Sequence, residues 1–329
     1  MSIELNGASP EYLFTSKSGG IAGKNILLNG AAEIWARGTS FTTTGYCADR
    51  WYGTISGTAT IAQETVVVPV GFKNAIKWTT GAAASYGQLR QFIESANVFL
   101  LRGQTVTASA YVQLGTSFSG TLGFEIGYST ITDSITGGSY TVIPSVTTGT
   151  SVIGSYTKIT ATFTVPLTSV GLYVGIVPSV AQATGINAYQ TGIQLELSPT
   201  ATPFSRAAST YDNEIAACKR FYFRIGGAAG LEQFGWGTTI STTQIAINIP
   251  HPVDMRIPPT AIDYNLIRAV QYNTTGAVTY NVASAPTLNA PGTQSTLLIV
   301  TVVGFVMGYS AWIDAQSSSG YLGLSSELV

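Results

Sequence analysis

Charge is what this chain has least of. Only 9% of its residues are Asp, Glu, Lys or Arg, where ordinary soluble domains carry about a quarter. Its 15 basic and 16 acidic side chains leave a net charge of −1 with no basic cluster. That excludes the electrostatic footprint of a nucleic-acid binder and the polybasic segment of a membrane-surface protein. Histidine is scarcer still. His251 stands alone between Pro250 and Pro252, and no GxSxG elbow accompanies it, so serine-histidine catalysis has no basis. The two cysteines, Cys47 and Cys218, are far apart and form no CxxC or zinc cluster with one histidine, so no metal and no cofactor are implied. A core-rich chain of 329 residues needs no staple. The cysteines therefore read as buried free thiols from a reducing cytoplasm, with one disulfide as the alternative. The N-terminus lacks the charged-then-apolar order of a secretion signal. Long apolar runs are also missing, with one exception. Leu297 to Ile313 (LLIVTVVGFVMGYSAWI) is uncharged, but it is shorter than the ~20 residues of a spanning helix. It is rich in Val and Ile and is split by Gly304 and Gly308, which predicts a buried β-hairpin and no membrane insertion. Heptads, collagen triplets and long repeats are absent, so no fibrous shaft is encoded.

What is present points to strands. Hydrophobic residues make up 45% of the chain, and with 36 glycines and abundant Thr, Ser, Asn and Gln the exposed surface hydrates through hydroxyls and amides. Thr105 to Leu114, Thr121 to Tyr128, Lys158 to Val165 and Val170 to Val177 alternate with period two. The pattern breaks between Thr202 and Phe223, where one helix is expected. Asp212 or Thr210 caps it, Glu214 sits in its first turn, and Ile215, Cys218 and Phe221 or Tyr222 share one face. Strands then resume over Ile240 to Ile249, Ala261 to Ile267, Gly276 to Val282, Ser295 to Val303 and Val306 to Asp314. The predicted fold is all-β, two antiparallel β-sandwich or jelly-roll domains joined by a short α-helix. Its parts are an extended attachment segment over 1–24, a jelly roll over 25–208, the helix within 209–223 and a C-terminal sandwich over 224–329. One large sandwich with appendages is the alternative.

No residue reads as catalytic. Glu94, Glu125 and Glu196 lie in or beside strand-like runs, but nothing in their spacing forces the carboxylate pair that glycoside hydrolysis requires. Asp49 beside Arg50 reads as an ion-paired turn set against Trp51. Aromatic rings stack on the apolar faces of sugars. The candidate ligand contacts are therefore Trp78, Tyr86 and Gln88 around one strand-loop-strand unit, and Trp236 in an exposed Gly-rich segment, Phe234 to Gly237.

Residue order adds a resemblance. Asn25 to Gly30 (NILLNG), Ile34 to Phe41 (IWARGTSF) and Tyr46 to Trp51 (YCADRW) resemble the opening of a module common in structural proteins of tailed bacteriophages and prophages. Gln88 to Glu94 and Leu101 to Ser109 look like the strand entry of carbohydrate-binding-module-like jelly rolls. Ile193 to Glu196, Ala201 to Arg206 and Glu214 to Tyr222 are similar to the module's closing signature, and Pro252 to Arg256 with Pro258 to Thr260 fits the tail. Cys47 departs from a usual Thr and Phe221 from a usual Tyr. The resemblance implies a non-enzymatic virion surface protein, assembled in the bacterial cytoplasm as a homotrimer and joined to other virion proteins through its N-terminal segment. The leading expectation is a tail-fibre or tail-tip protein contacting a host surface polysaccharide. A capsid decoration protein is the alternative, and a glycan depolymerase using Glu94 and Glu125 a further one. The motif residues Asn29, Trp35, Arg37, Asp49, Arg50, Trp51, Glu196, Pro203, Phe204, Cys218 and Arg220 are expected to hold loops and domain junctions.

Overall fold

The computed structural model describes residues 24–55, 57–81, 88–134, 140–227, 230–282 and 284–328. The expected leader, apart from Lys24, lies outside them, as does Tyr86.

Thirteen strands come first: β1 (Ser40–Phe41), β2 (Gly45–Tyr46), β3 (Tyr52–Thr54), β4 (Thr60–Glu64), β5 (Ala75–Thr79), β6 (Gln88–Ile93), β7 (Thr105–Leu114), β8 (Leu122–Ser129), β9 (Tyr140–Val142), β10 (Thr147–Thr148), β11 (Thr157–Thr164), β12 (Gly171–Pro178) and β13 (Asn187–Glu196). A five-residue helix, α1 (Ser95–Phe99), follows β6. The strands form two antiparallel sheets, one ordered β1-β4-β5-β13-β7-β11-β10 and the other β2-β3-β6-β12-β8-β9. Because side chains alternate across a strand, each sheet turns one apolar row inward. Ile76 and Trp78, Val106 to Val112 at every second position, and Leu172, Val174 and Ile176 meet in the first core.

Helix α2 (Tyr211–Lys219) separates this core from a second one. Thr210 caps α2, its Oγ1 accepting from the Asn213 N–H at 3.3 Å. Asp212 and Glu214 in the first turn and Lys219 in the last suit the helix dipole. The inward face differs from the expected apolar one. Cys218 is buried but Ile215 only half so, and Glu214 is buried instead, its carboxylate accepting from the Asn29 N–H at 2.6 Å and the Ala208 N–H at 2.8 Å.

Ten further strands follow: β14 (Tyr222–Gly226), β15 (Gln233–Thr239), β16 (Gln244–Pro250), β17 (Ala261–Asn265), β18 (Ile267–Asn273), β19 (Gly276–Asn281), β20 (Thr287–Pro291), β21 (Ser295–Thr301), β22 (Ser310–Ala315) and β23 (Tyr321–Ser325). A sheet of order β19-β18-β22-β15-β16-β21-β20 packs on the short sheet β14-β23-β17. Ile245, Ile247, Ile249, Leu298, Val300 and Ile313 fill the space between them. The fold is therefore all-β, with two sandwiches and a short helix between them.

Three expectations are corrected. Leu297 to Ile313 is no hairpin, because β21 pairs with β16 and β20 while β22 pairs with β15 and β18, so that β15 and β16 lie between β21 and β22. Ala261 to Ile267 is broken at Leu266, whose φ of 42° starts a new strand in the other sheet. Phe234 to Gly237, expected to be exposed, lies within strand β15, where Phe234 and Gly235 are buried and only Trp236 is exposed. Its glycines answer close approach, since a Cβ on Gly237 would lie 1.7 Å from the Ala246 carbonyl oxygen.

Candidate functional site

The motif residues sit at joints. Asn29 has φ 54°, and its side chain accepts from the Glu33 and Ile34 N–H groups at 2.9 and 3.0 Å while donating to the Ile34 and Asp49 carbonyls at 2.8 and 3.0 Å. Gly30 follows because a Cβ there would stand 2.0 Å from the Ile193 carbonyl oxygen. Trp51 is fully buried and donates to the Asn29 carbonyl at 3.0 Å, and Trp35 donates to the Ala32 carbonyl at 2.7 Å. Glu196 accepts from the Thr202 N–H and hydroxyl at 2.8 and 2.7 Å, the Pro203 carbonyl accepts from Lys24 at 2.6 Å, and the Phe204 ring lies 5.2 Å from Phe72. The cysteines are free thiols, both buried.

Asp49 and Arg50 do not pair with each other. Adjacent side chains diverge, and Arg50, at φ 71°, turns to the far end of the chain. Beyond β23, residues 326–328 leave the second sandwich and lie on the first. Leu328 packs with Phe92 and Tyr173 on the face of the six-stranded sheet turned away from the first core. The Glu327 carboxylate is held by Arg50 and by Arg37, the latter at 3.3 Å. Arg37 stacks 3.7 Å over Tyr222 and Arg50 3.5 Å over Phe221, so both guanidiniums bridge the sandwiches. Arg50 also donates to the Phe92 carbonyl at 2.8 Å. Arg256 donates to the Ser326 and Glu327 carbonyls at 3.0 and 3.2 Å and pairs with Asp133 at 2.8 Å. Asp49 lies 3.9 Å from Arg37, and burial pushes its carboxyl up to about 6 against the pull of Arg37.

The candidate ligand contacts separate. Trp78 is 5% exposed and lines, with Gln88 and Gln190, a cavity of about 10 Å³ between the two sheets. That is room for one water and no sugar ring. The Trp78 indole N–H and the Gln190 carbonyl oxygen are both buried without a partner among the described residues, a donor and an acceptor that such a water would join. The candidate acids are engaged elsewhere. Glu94 pairs with Arg220 at 3.5 Å, and Glu125 pairs with Arg90 at 2.6 Å and accepts from the Tyr173 hydroxyl at 2.9 Å. The His251 ring nitrogens lie 2.7 Å from the Thr293 carbonyl oxygen and 2.9 Å from Thr296 Oγ1, a loop clasp.

Trp236 is different. It is 55% exposed on the face of the seven-stranded sheet opposite the second core, opposite Trp312 in register on β22, with ring centroids 5.1 Å apart. Register places Val270, Trp312, Trp236, Asn248 and Leu297 in one row across five strands of that face. Trp312 is fixed, since its indole N–H donates to Asp314 at 3.1 Å and Arg268 holds the same carboxylate at 2.6 and 3.2 Å. A shallow hollow of about 430 Å³ beside Trp236 is lined by Gln233, Asn248 and Pro250 among others. The Trp236 indole N–H and the Gln233 and Asn248 amides have no hydrogen-bond partner among the described residues. Sequence reasoning missed Trp312 because cross-strand pairing is not local, and it missed Glu327 because nothing in a terminal Ser-Glu-Leu marks a buried acid.

No family model matches this chain, and no curated protein matches it. Among solved structures it is similar to the CBM22-1 xylan-binding domain of Paenibacillus barcinonensis Xyn10C, with 14% identity, 56% of this chain and 100% of that chain covered and a TM-score of 0.36. The tandem CBM22-1–CBM22-2 domain of the same protein covers 94% of this chain and 98% of its own at 11% identity and a TM-score of 0.36. The enzymatically active domain of bacteriophage CBA120 tailspike protein 4 covers 53% of this chain and 22% of its own at 13% identity and a TM-score of 0.34. Likenesses this distant assign no ligand and no residue role.

Proposed function

We propose that this chain is a non-enzymatic phage virion protein displayed on the particle surface, a tail-fibre or tail-tip component that contacts a host-cell glycan through Trp236 and Trp312. The observation that carries the reading is the exposed Trp236 ring, set beside a fixed Trp312 on an open sheet face whose neighbouring amides are unengaged. Flat rings take the apolar faces of pyranoses, and free amides take their hydroxyls. The engagement of Glu94 and Glu125 by arginines supports the non-enzymatic part. Assembly as a homotrimer, with the N-terminal segment joining other virion proteins, belongs to the same proposal.

A glycan array probed with the full chain tests it. Retention of at least one glycan is expected, with Trp236→Ala weakening it about 30-fold, the ~2 kcal/mol of a stacked hot spot. No retained glycan from folded protein, or retention indifferent to Trp236, overturns it. Electron microscopy of virions is expected to find the chain on the tail. A position on the head would reassign it as a capsid decoration protein.

A further inference from the structure

Two adjoining clefts, of about 270 and 200 Å³, open where the first loop (residues 29–37, before β1), the β4–β5 connection and helix α2 meet, and they share Glu33 and Tyr211. Together they approach the size of small-ligand sites, about 300 to 1,000 Å³. Three observations make them more than a surface dent. First, the basic side chains of the described residues have an ion pair, hydrogen bond or ring partner in all but two cases. Those two are Lys73 and Lys219, and each lines one of the clefts. Second, Asn74 is 4% exposed and lines the same hollow as Lys73, yet its side-chain amide has no hydrogen-bond partner among the described residues. The amide reaches solvent at the hollow, so its donor and acceptor are open to a ligand there. Third, Glu33, the acid the two clefts share, is neutralised by Arg206 at 2.7 and 2.8 Å, which leaves the lysine charge uncompensated there.

The walls add an aromatic surface. Tyr211 is 46% exposed, and Trp35 is held rigid through its indole N–H. We propose that this cleft binds the carboxylated sugar unit of an acidic glycan, its ring against Tyr211, its carboxylate at Lys73 and a hydroxyl at the Asn74 amide. The choice of a sugar rests on the glycan reading above; the demand for an anion does not. The site is distinct from the Trp236 face, which carries no unpaired cation.

Titration of the full chain with glucuronic acid, N-acetylneuraminic acid, glucose and triglutamate, followed by amide chemical shifts, tests it. The acidic sugars are expected to bind at least about tenfold more tightly than glucose, the worth of one charge-assisted hydrogen bond. Shifts are expected to centre on Lys73, Asn74 and Tyr211 and to weaken as salt rises. Lys73→Met and Asn74→Ala should each reduce this binding about tenfold. The bond from Thr191 Oγ1 to the Asn74 carbonyl, 2.8 Å, survives the latter change, so its melting point should hold. Trp236→Ala should leave acidic-sugar binding unchanged, so the two sites fail separately. Equal affinity for glucose, shifts centred elsewhere, or indifference to both variants overturns the proposal. Binding of triglutamate without the sugars overturns it in favour of an acidic peptide.

Discussion

Replacing Glu327 by Gln should loosen the whole joint between the sandwiches. Arg50 is 2% exposed and the Glu327 side chain 4%, so their charges are out of water and compensate one another. An exposed pair would be worth about 0–1 kcal/mol. Removing one partner of a buried pair instead strands the other charge and costs about 3–5 kcal/mol. The amide still accepts one hydrogen bond but turns a donor toward Arg37, 3.3 Å away on the other oxygen, so little is recovered. For domains of this size about 3–5 kcal/mol lowers the melting temperature by roughly 6–20 °C. Calorimetry measures it, with tryptophan fluorescence following both sandwiches, since Trp35, Trp51 and Trp78 lie in the first and Trp236 and Trp312 in the second. The physical cause has its own check. Arg50→Met with Glu327→Leu removes both charges and should recover much of the loss, because desolvation no longer opposes packing. A shift worth under about 1 kcal/mol for Glu327→Gln, or a double variant no more stable than the single, would refute a buried, charge-compensated joint.

Three other outcomes follow from the same structure. Asp49 has its carboxyl raised from 3.8 to about 6 by burial, so the native state binds its proton more tightly than the unfolded one. Its contribution is present below about pH 4 and lost as pH rises through about 6, about 3 kcal/mol in all. Asp49→Asn should flatten that part of the stability profile measured by urea unfolding between pH 4 and 7. Burial pushes the Cys47 thiol up to about 12 and Cys218 well above its ordinary value, so a disulfide reagent at pH 8 should label both only after unfolding. Trp236→Ala should change stability by less than about 0.5 kcal/mol, as exposed positions do, while abolishing most glycan retention on the array.

Much of the fold was legible because alternation is local. Thr105–Leu114 matches its predicted span residue for residue, and β8, β11 and β12 shift by one. Partner choice was not legible, since β21 and β22 are neighbours in sequence but have two strands between them in the sheet. At the site, Trp236 was visible as an exposed aromatic but its partner Trp312 was not. Trp78 was readable and misread, because Ile76 and Trp78 alternate with Lys77, which already puts the indole on the core side. Asp49 and Arg50 show the opposite failure, where nearness in sequence suggested a pair that the backbone at Arg50 prevents.

The scarcity of charge acquires a meaning from where the charges lie. Arg37, Asp49, Arg50, Glu214 and Glu327 are withdrawn into the region where helix α2, the first loop and the chain's last residues meet. In a low dielectric each attraction there is far stronger than at the surface, so a few arginines suffice to fix one sandwich on the other. The sheet face around Trp236 carries one ion pair, Arg268–Asp314, already closed on itself and on Trp312, and otherwise Thr238, Asn248 and Gln233, groups that meet a neutral hydroxylated surface without first shedding tightly held water from free ions. Joint and face are thus complementary uses of one composition. An added charge on the face should weaken glycan contact, and a lost charge in the joint should weaken the molecule.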